Sequence, residues 1–456
     1  MGLKEQCGIF GFYNNDDFDA AEMIYYGLFA LQHRGQESCG IAVNDNGKII
    51  YYKEMGLVPE VFNEVILSHL KGHMGIGHVR YSTSGDSLRE NAQPLVVKYT
   101  QGSMAVAHNG NILNYNELRA DFEKLGFIFQ SETDSEVIAA MFSRQRISSG
   151  SLQEAISKVM RVLRGAYSIL VLSRSKLIAA RDPMGMRPLV LGRKNNSYAV
   201  CSETSALNAI GAEFLRDVRP GEIIIINKKG LRSIQTYTPE KSALCIFEHI
   251  YFARLDSVMD GACIYESRYK AGEMLAREYK IQADAVIGVP DSGIASALGY
   301  SNFSKIPYVE GLIKNRYVGR TFIQPRQQTR EQSVTVKLGA IASQVRGKDI
   351  IMIDDSIVRG TTSSKIVQMI KNAGARKVHL LVSSPPVKFP CYFGINISNK
   401  EQLMANNMAL DEMRKLIGAD SLGFLSIKGL TEIPNGSKSG FCKACFDGHY
   451  PMEIKS

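Results

Sequence analysis

The sequence predicts a two-domain protein of mixed α/β and α+β class, with stacked sheets under helices first and a doubly wound parallel sheet second. A chain of 456 residues is too long for one hydrophobic core. In its first half, many short β-rich runs are interrupted by a few helices, which is typical of stacked sheets covered by helices. After a polar linker at Thr236–Ser242, helices and short apolar strands alternate, as in a doubly wound sheet.

The composition is that of an ordinary globular protein. It is 45% hydrophobic and 22% charged, and its formal charge of +9 is spread along the chain. The charge suits anionic small molecules, while the lack of a dense Lys/Arg block argues against nucleic acid. The sequence offers no apolar run of membrane-spanning length and no secretory segment. The eight cysteines therefore predict a cytoplasmic protein with reduced or metal-bound thiols rather than a disulfide framework.

Hydrophobic spacing places the elements of the first half. Ala21, Ile24, Leu28 and Leu31 have helical spacing, and Gly35 is placed to follow the helix end. We expect strands at Lys48–Tyr52, Met104–Ala107, Ala166–Leu172, Tyr198–Cys201 and Glu222–Ile226, and helices near Tyr115–Leu125, Ser135–Arg146 and Leu152–Leu163.

The second half alternates between the two element types. The polar, basic segment Asn315–Arg346 is long for a compact domain, and such segments are commonly functional lids. We expect helices at Arg268–Lys280, Ile294–Tyr300 and Ser363–Ala373, and strands at Ala283–Val289, Asp349–Ile353 and Val378–Ser383.

The segment Ile350–Ser363 carries the strongest chemical signal. Its four leading apolar residues predict a buried parallel strand, and Asp354 and Asp355 stand at the carboxyl end of that strand. The Gly360–Ser363 stretch opens a helix whose free N–H groups and dipole suit a phosphate. Carboxylates that can accept from ribose hydroxyls, followed by a phosphate cradle, fit a sugar phosphate.

Two further segments extend this site. Val286–Gly293 is a second strand-to-loop transition, whose small polar end could approach a pyrophosphate closely. The basic stretch Lys314–Pro325 adds cations for a pyrophosphate leaving group, although alone it could be a solvated loop. Mg²⁺ prefers oxygen ligands and substrate phosphates, and Asp354, Asp355 and Ser292 are the protein oxygens available.

The Ile350–Ser363 string resembles the phosphoribosyl-pyrophosphate (PRPP) loop of the type I phosphoribosyltransferases. The resemblance implies a doubly wound fold and a PRPP site. The residues it assigns to PRPP are Asp354, Asp355, Ser356, Arg359, Gly360, Thr361, Thr362, Ser363, Asp291, Ser292, Lys314 and Arg316.

The first half contains a set of residues suited to amide chemistry. Cys7 precedes an apolar strand, where a lone cysteine is usually a buried small hydrophobe. Gly77–Thr83 carries an arginine on a predicted strand, and Ala107–Asn111 offers an amide side chain beside a glycine N–H, the donor pair that an oxyanion needs. Glu132–Glu136 places an acid at a helix start.

These segments, with Leu31–Ser38, resemble the class II glutamine amidotransferases, whose fold is the N-terminal-nucleophile (Ntn) hydrolase αββα sandwich. The resemblance implies that Cys7 is the nucleophile, that Asn109 and Gly110 form the oxyanion hole, and that Arg80 and Asp134 bind the α-carboxylate and α-amino group of glutamine. A terminal amine titrates near pH ~8 and a thiol near ~8.5, so the amine of Cys7 could activate its own sulfur. We therefore expect the leader Met1–Gln6 to be removed.

The histidines of this half suggest a triad at first sight. We interpret His33, His78 and His108 as structural hydrogen-bonding residues.

Four other cysteines have a distinct pattern. A lone Cys-x-x-Cys could be a redox pair or half a zinc site, and four thiolates suit either zinc or an iron–sulfur cluster. Their sequence contexts resemble the cluster-bearing branch of the glutamine PRPP amidotransferases, which implies a structural [4Fe–4S] centre. The ligands so implied are Cys245, Cys391, Cys442 and Cys445, whereas Cys39, Cys201 and Cys263 are expected to be packing residues.

Both halves in tandem resemble the amidophosphoribosyltransferase family of the bacillus-like iron–sulfur type. The implied reaction converts glutamine, PRPP and water into 5-phosphoribosylamine, glutamate and diphosphate, with ammonia channelled from Cys7 to the PRPP site. The resemblance also implies one Mg²⁺ and one [4Fe–4S] cluster per subunit, a homotetramer and feedback inhibition by purine nucleotides. We expect an amidotransferase domain over 7–238 and a phosphoribosyltransferase domain with a cluster-binding segment over 239–456.

Two departures and two alternatives accompany this interpretation. Gly293 stands where close relatives often carry Ser, and Gln6 precedes the nucleophile where an acid is common, which puts the processing step in doubt.

Another class II amidotransferase with a different acceptor would lack the acidic PRPP loop. A non-catalytic PRPP-sensing regulator would carry a DNA-binding helix pair and a degraded nucleophile region, and the sequence shows neither.

Overall fold

A computed structural model describes residues 7–81, 87–237, 241–315, 337–397 and 400–454. The predicted leader Met1–Gln6, the boundary at residues 238 and 239, Arg316 and most of the predicted lid Asn315–Arg346 lie outside these ranges. In the described part of the chain, no helix combines the length and apolar character needed to cross a bilayer.

The first half is built on two antiparallel sheets. The strands are β1 (Gly8–Tyr13), β2 (Ser38–Asp45), β3 (Lys48–Met55), β4 (Met74–Arg80), β5 (Leu95–Tyr99), β6 (Gly102–Ile112), β7 (Gly165–Leu172), β8 (Leu177–Arg181), β9 (Val190–Lys194), β10 (Ser197–Cys201), β11 (Glu213–Asp217), β12 (Glu222–Asn227) and β13 (Gly230–Gln235). One sheet has the order β11-β9-β10-β1-β4-β2-β3 and the other β13-β12-β8-β7-β6-β5.

Helices cover the outer faces of both sheets. They are α1 (Ala20–Ala30), α2 (Val58–Val61), α3 (Glu64–His69), α4 (Tyr115–Lys124), α5 (Asp134–Ile147), α6 (Leu152–Met160) and α7 (Thr204–Ala209), with a short 3₁₀ turn at Arg89–Asn91. The Asp19 side chain accepts from the first N–H groups of α1, and Ser151 does the same for α6.

Side-chain alternation along the strands creates the layers. On β1, Phe10 and Phe12 pack against α1, whereas Ile9 and Tyr13 face the other sheet. The two faces of a strand alternate with a period of two, so one fully buried strand serves two cores. The result is the predicted αββα sandwich.

The second half is built on a four-stranded parallel sheet of order β17-β20-β21-β22. The strands are β14 (Leu244–Cys245), β15 (Val258–Met259), β16 (Ala262–Cys263), β17 (Ala285–Gly288), β18 (Leu312–Lys314), β19 (Leu338–Ala340), β20 (Asp349–Asp354), β21 (Lys377–Val382), β22 (Ser421–Phe424) and β23 (Phe441–Cys442). Hydrophobic cores lie on both faces of the parallel sheet, as the doubly wound prediction requires.

The helices of this half flank the sheet. They are α8 (Ile264–Glu278), α9 (Ile294–Ser304), α10 (Ala342–Val345), α11 (Thr361–Asn372), α12 (Met404–Asn407), α13 (Leu410–Ile417), α14 (Ile427–Glu432) and α15 (Ala444–Asp447). A π-helical turn spans Glu248–Phe252 and a 3₁₀ turn spans Lys400–Gln402.

Helices α8 and α9 approach closely because glycine stands at their contact. A Cβ on Gly272 would lie 1.8 Å from the carbonyl oxygen of Ser296, and one on Gly299 would lie 1.9 Å from that of Tyr269. This close packing fixes the N-terminus of α9, and with it the loop that follows β17.

The predicted elements match the structure closely, with differences at Gly35 and in the predicted lid Asn315–Arg346, whose last residues include β19 and α10. Helix α1 ends at Ala30, and Gly35 lies beyond the turn that follows it. A Cβ at Gly35 would lie 2.4 Å from the backbone carbon of Val79. Glycine is therefore needed there for close backbone approach to β4, not to end the helix.

Charged side chains join the two halves near one edge. Arg181 contacts Asp260 (Nη2 to Oδ2, 3.4 Å), the backbone N–H of Asp260 donates to Asp217 Oδ1 (3.2 Å), and Ser439 donates to Asp260 Oδ2 (2.8 Å). Burial, together with the charge of Asp260, raises the pKa of Asp217 to about 6. The ionised form of Asp217 is therefore disfavoured in the folded protein.

An Asp217→Asn variant should show this in its pH dependence. The raised pKa of Asp217 stabilises the fold only at low pH, and that contribution is lost as pH rises from about 4 to about 6. Because Asn keeps an oxygen for the Asp260 N–H, the variant should match the wild type near pH 4. Above pH 6 it should be more stable by about 1–2 kcal/mol, after allowance for partial exposure. Thermal unfolding scans across this range measure the difference.

Asp16→Asn is the control of opposite sign. Hydrogen bonds, first from Ser197, lower the pKa of Asp16, so this variant should gain nothing above pH 6. A Tm difference between Asp217→Asn and the wild type that does not change with pH would contradict the raised pKa of Asp217.

Candidate active sites

Cys7 lies immediately before β1, and strand pairing in the first sheet places it next to the end of β4. Gly8 pairs with Val79, which places Cys7 beside Arg80. The thiol is buried and donates to the carbonyl oxygen of Tyr81 at 3.4 Å. Burial raises the pKa of Cys7, and the charges of Arg80, Glu37 and Asp134 all act on the thiol. Sequence-distant Arg80 and Asp134 are thus brought to the same site as Cys7.

Asn109 and Gly110 lie on β6 in the facing sheet. Asn109 is 1% exposed, and among the described residues its side-chain Nδ2 has no hydrogen-bond partner. Gly110 has φ +150°, and a Cβ there would lie 1.9 Å from the carbonyl oxygen of Ala166. A buried amide donor left unpaired costs free energy, so it is suited to a ligand oxygen that arrives with the substrate.

The strand ends are held together by histidines. His78 on β4 contacts the carbonyl oxygen of His108 through Nε2 at 3.0 Å, and Nδ1 of His108 lies 3.1 Å from Ser135 Oγ. His33 lies 2.8 Å from Glu203. Burial lowers the pKa of His78 to about 3, so this side chain is neutral. All three predicted histidines make hydrogen bonds, in keeping with a structural role.

Asp134 opens α5 with its carboxylate turned inward. Oδ2 accepts from the Ile112 N–H at 3.0 Å, and Oδ1 lies 3.4 Å from His108 Nδ1. Burial alone would raise the pKa of Asp134, but His108 and these hydrogen bonds outweigh burial and lower it. The site therefore holds an ionised carboxylate, which can pair with an ammonium group.

Sequence reasoning missed a buried ionic cluster beneath Cys7. Arg34 donates from Nε to the Cys7 carbonyl oxygen (3.2 Å) and pairs with Glu203 and Glu248. Arg34 lies in the Leu31–Ser38 segment, and Glu248 lies shortly after Cys245 in the sequence. No local pattern marks either as a partner of the other, because they lie 214 positions apart.

In the second half, β20 ends at the predicted acidic pair. Asp354 and Asp355 are both buried, and Ser292 and Ser356 donate to Asp355 at 2.6 and 2.5 Å. Burial first, and then repulsion from Asp355, raise the pKa of Asp354; burial also raises that of Asp355. Two desolvated carboxylates side by side favour a cation between them and the substrate.

The N-terminus of α11 follows this pair. Gly360 caps the helix with φ +76°, and it has no side chain to occupy the first N–H groups. Ser363 is buried, Thr362 is half-buried and Thr361 is exposed. Arg359 is exposed and bonds to Gln402. The first N–H groups of α11 therefore have no side-chain cap at the place where the sequence predicts a phosphate.

The loop after β17 faces the acidic pair. Asp291 forms an ion pair with Lys314, and the Pro290–Asp291 peptide is cis. A Cβ at Gly293 would lie 2.3 Å from the carbonyl oxygen of Ile353. Gly293 is the position at which the sequence departs from the Ser of close relatives. A serine side chain there would need the loop to move away from β20.

The four predicted ligand cysteines line one cavity, although they are up to 200 residues apart in sequence. Met186, Arg187, Pro390, Phe393 and Tyr450 also line it, together with Ile395 and Ala444. Among the described residues, no three His, Cys, Asp or Glu side chains are close enough to bind a single metal ion. A zinc ion needs sulfurs only ~3.8 Å apart, so shared lining of a wider cavity is the more informative observation.

Buried thiols and a buried guanidinium group line this cavity together. Burial raises the pKa of Cys442 to about 12 and that of Cys245 and Cys445 as well. Arg187 is 1% exposed, and its Nε and Nη1 have no hydrogen-bond partner among the described residues. Cys39 and Cys201 lie in a hydrophobic core instead, as expected for packing residues.

Comparison with known proteins agrees with this organisation. Residues 78–209 match the glutamine amidotransferase domain, and residues 267–386 match the phosphoribosyl transferase domain. The amidophosphoribosyltransferase of Archaeoglobus fulgidus is 48% identical over 98% of both chains. That of Bacillus subtilis is 46% identical over 99% of this chain and 95% of its own.

Solved structures give the same result. The B. subtilis glutamine PRPP amidotransferase complexed with ADP and GMP aligns with a TM-score of 0.91 at 46% identity, over 98% of both chains. A structure described as the allosteric regulatory enzyme of purine biosynthesis aligns with a TM-score of 0.92 at 46% identity, over 98% of this chain.

The fold and its two sites define a phosphoribosyltransferase joined to a glutamine amidotransferase. With relatives of this identity over nearly its full length, the chain belongs to the amidophosphoribosyltransferase family. It is an enzyme that converts L-glutamine, PRPP and water into 5-phosphoribosylamine, L-glutamate and diphosphate, the first committed step of purine biosynthesis.

Proposed function

We propose that Cys7 is the nucleophile that releases ammonia from glutamine. The ammonia then reacts with PRPP at the site that contains Asp354 and Asp355. The observation that carries this division is the side-chain Nδ2 of Asn109, which is buried in the sheet that faces Cys7 and has no hydrogen-bond partner in the described part of the chain. With the Gly110 N–H it supplies the donor pair for the oxyanion formed when sulfur attacks the carboxamide. Arg80 binds the α-carboxylate of glutamine and the ionised Asp134 its ammonium.

Activation of Cys7 requires a base, because burial raises its pKa. The thiol proton is donated to the carbonyl oxygen of Tyr81, which is not a base at neutral pH. A free α-amino group on Cys7 itself has a suitable pKa of ~8. We therefore propose that Met1–Gln6 is a leader that is removed, and that residues 7–238 and 239–456 form the two functional domains.

Ammonia must reach the second site without meeting bulk water, which would protonate it. The two halves share buried contacts within one chain, which supports transfer through the interior. At the second site, the PRPP pyrophosphate is held by Asp291, Ser292, Lys314 and Arg316. Its ribose and 5′-phosphate are held by Asp354, Asp355, Ser356 and the Arg359–Ser363 segment.

The residues at the acidic pair fit Mg²⁺. Asp354, Asp355 and Ser292 provide only oxygen donors, and the two buried carboxylates need a compensating charge. Mg²⁺ bound there would offset the charge that gathers on the departing diphosphate. Asp355 is held in place for this by hydrogen bonds from Ser292 and Ser356.

The cysteine cavity fits a [4Fe–4S] cluster with a structural role. Cys245, Cys391, Cys442 and Cys445 line it together, and the unpaired nitrogen atoms of Arg187 offer positive charge beside them. Four thiolates around a cluster carry net negative charge, which a buried guanidinium would balance.

Further properties are proposed by likeness to the family. The neighbour with bound ADP and GMP supports feedback inhibition by purine nucleotides. A homotetramer and a cytoplasmic location fit the same family.

Removal of the Cys7 thiol should separate the two half-reactions. Cys7→Ala should lose glutamine-dependent synthesis by at least ~10³-fold but keep ammonia-dependent formation of phosphoribosylamine. Asp355→Asn should abolish both syntheses. Steady-state assays with glutamine or with ammonium salts measure this, and Cys263→Ala, a half-buried cysteine outside both sites, is the control. Equal loss of both activities in Cys7→Ala would refute the division of labour.

Processing is tested on the purified enzyme by intact-mass measurement. Fully glutamine-active protein should begin at Cys7, with Met1–Gln6 absent, because an amide nitrogen cannot accept the thiol proton. Full activity in protein that retains Met1 or Gly2 would contradict the proposal.

Metal analysis tests the cysteine cavity. Anaerobically purified enzyme should contain about four iron atoms per chain with matching sulfide, and visible absorption typical of a cluster. Cys445→Ser should lose most of the iron, whereas Cys263→Ser should retain it. One zinc per chain with no iron would show that the cavity holds a different centre.

A further inference from the structure

The buried cluster around Arg34 crosses the boundary between the two halves. Arg34, Glu203 and Glu248 have fully buried side chains. Arg34 contacts Glu203 at 2.5 Å, and it reaches both carboxylate oxygens of Glu248 at 2.7 and 2.9 Å. The remaining Nε donates to the Cys7 carbonyl oxygen. A residue of the phosphoribosyltransferase half therefore fixes the guanidinium that holds the backbone of the glutamine-cleaving cysteine.

Glu203 ties the same cluster to the second half by a different route. Its Oε2 accepts from the Arg254 N–H at 3.0 Å and from Ser257 Oγ at 2.7 Å. Burial alone would raise the pKa of Glu203, but His33 and Arg34 outweigh it and hold the pKa well below its usual range. Glu203 is therefore ionised, and its hydrogen bonds together with those of Glu248 hold Arg34 in one defined geometry.

Buried contacts of the second half hold Glu248 in place. Glu248 begins the π-helical turn, and Arg268 on α8 donates to the carbonyl oxygens of His249 (3.0 Å), within the turn, and of Ala253 (2.7 Å), the residue that follows it. Two buried guanidinium groups, those of Arg34 and Arg268, thus contact the turn from opposite halves, and π-helical turns are frequent at functional sites.

The carbonyl of Cys7 matters more than an ordinary backbone group. Under the proposed function, Cys7 is the chain terminus and lacks a preceding peptide bond to hold it. Its own carbonyl hydrogen bond then sets where the α-amino group and the thiol lie. A shift of Arg34 would move both reacting groups.

We infer that Glu248 is a positioning residue for glutamine hydrolysis, because it holds the Arg34 guanidinium that fixes the backbone of Cys7. The inference rests on the proposed role of Cys7 but goes beyond it, since it assigns a glutaminase function to a residue outside the amidotransferase half.

The test is Glu248→Gln, which keeps the shape of the side chain and removes its charge. The kcat of glutamine hydrolysis should fall at least ~10-fold, with the KM for glutamine within about twofold of the wild type, because the substrate-binding residues are untouched. Ammonia-dependent synthesis should stay within about twofold.

Glu222→Gln is the matched control. Glu222 is also buried and bidentate to an arginine, Arg216, at 2.7 and 2.8 Å, but it lies within the first half and away from Cys7. It should leave glutamine hydrolysis and ammonia-dependent synthesis unchanged. A loss of hydrolysis in this variant equal to that in Glu248→Gln would overturn the inference in favour of general destabilisation.

Further outcomes separate this inference from the proposed function. A wild-type rate of glutamine hydrolysis in Glu248→Gln would overturn the inference alone. Glutamine hydrolysis that persists in Cys7→Ala would overturn the proposed function first. Glu248→Asp keeps the charge but shortens the side chain by one methylene, so its kcat for glutamine hydrolysis should fall by a smaller factor. This variant replaces Glu248→Gln in the test if Glu248→Gln does not fold.

Discussion

The buried guanidinium of Arg34 is the interaction on which the arrangement of this enzyme depends. A charge of that kind away from water costs several kcal/mol unless it is paired and hydrogen-bonded. Here Glu203, Glu248 and the Cys7 carbonyl satisfy it together. Because removal of one partner from a buried pair costs about 3–5 kcal/mol, the cluster resists separation of the halves as well as displacement of Cys7.

The two sites use the same architectural device in different sheets. In both, reacting groups stand where buried strands end, so the strands fix the backbone while the adjoining loops and helix starts supply the polar groups. Asn109 Nδ2 in the first site has no hydrogen-bond partner among the described residues, and Asp354 and Asp355 lie desolvated in the second site. Under the proposed function, a substrate or a cation would relieve each of these unfavourable states. The surrounding hydrophobic cores offset the free-energy cost of this preorganisation.

The cysteine cavity shows a third use of the contact between halves. Cys245 follows the linker between the halves and the other three cysteines lie near the C-terminus, while Arg187 comes from the amidotransferase half. Asn111, next to the Asn109–Gly110 pair, donates to the Tyr392 carbonyl oxygen at 2.8 Å, one residue from Cys391. The segment around Cys391 thereby packs against β6, the strand that carries Asn109 and Gly110. A structural centre in the cavity would anchor that segment.

The sequence by itself determined the elements and the chemistry that is local along the chain. Hydrophobic periodicity located the strands and helices, and Ile350–Ser363 specified its site because strand, carboxylates and helix start are contiguous there. The tertiary structure alone decided what a side chain at Gly35 or Gly293 would meet, since the nearby backbone atoms belong to distant strands. It alone also paired Arg34 with Glu248 and raised the pKa of Asp217. Long-range burial of charge leaves no periodic signal in a sequence, because it depends on which segments the fold brings together.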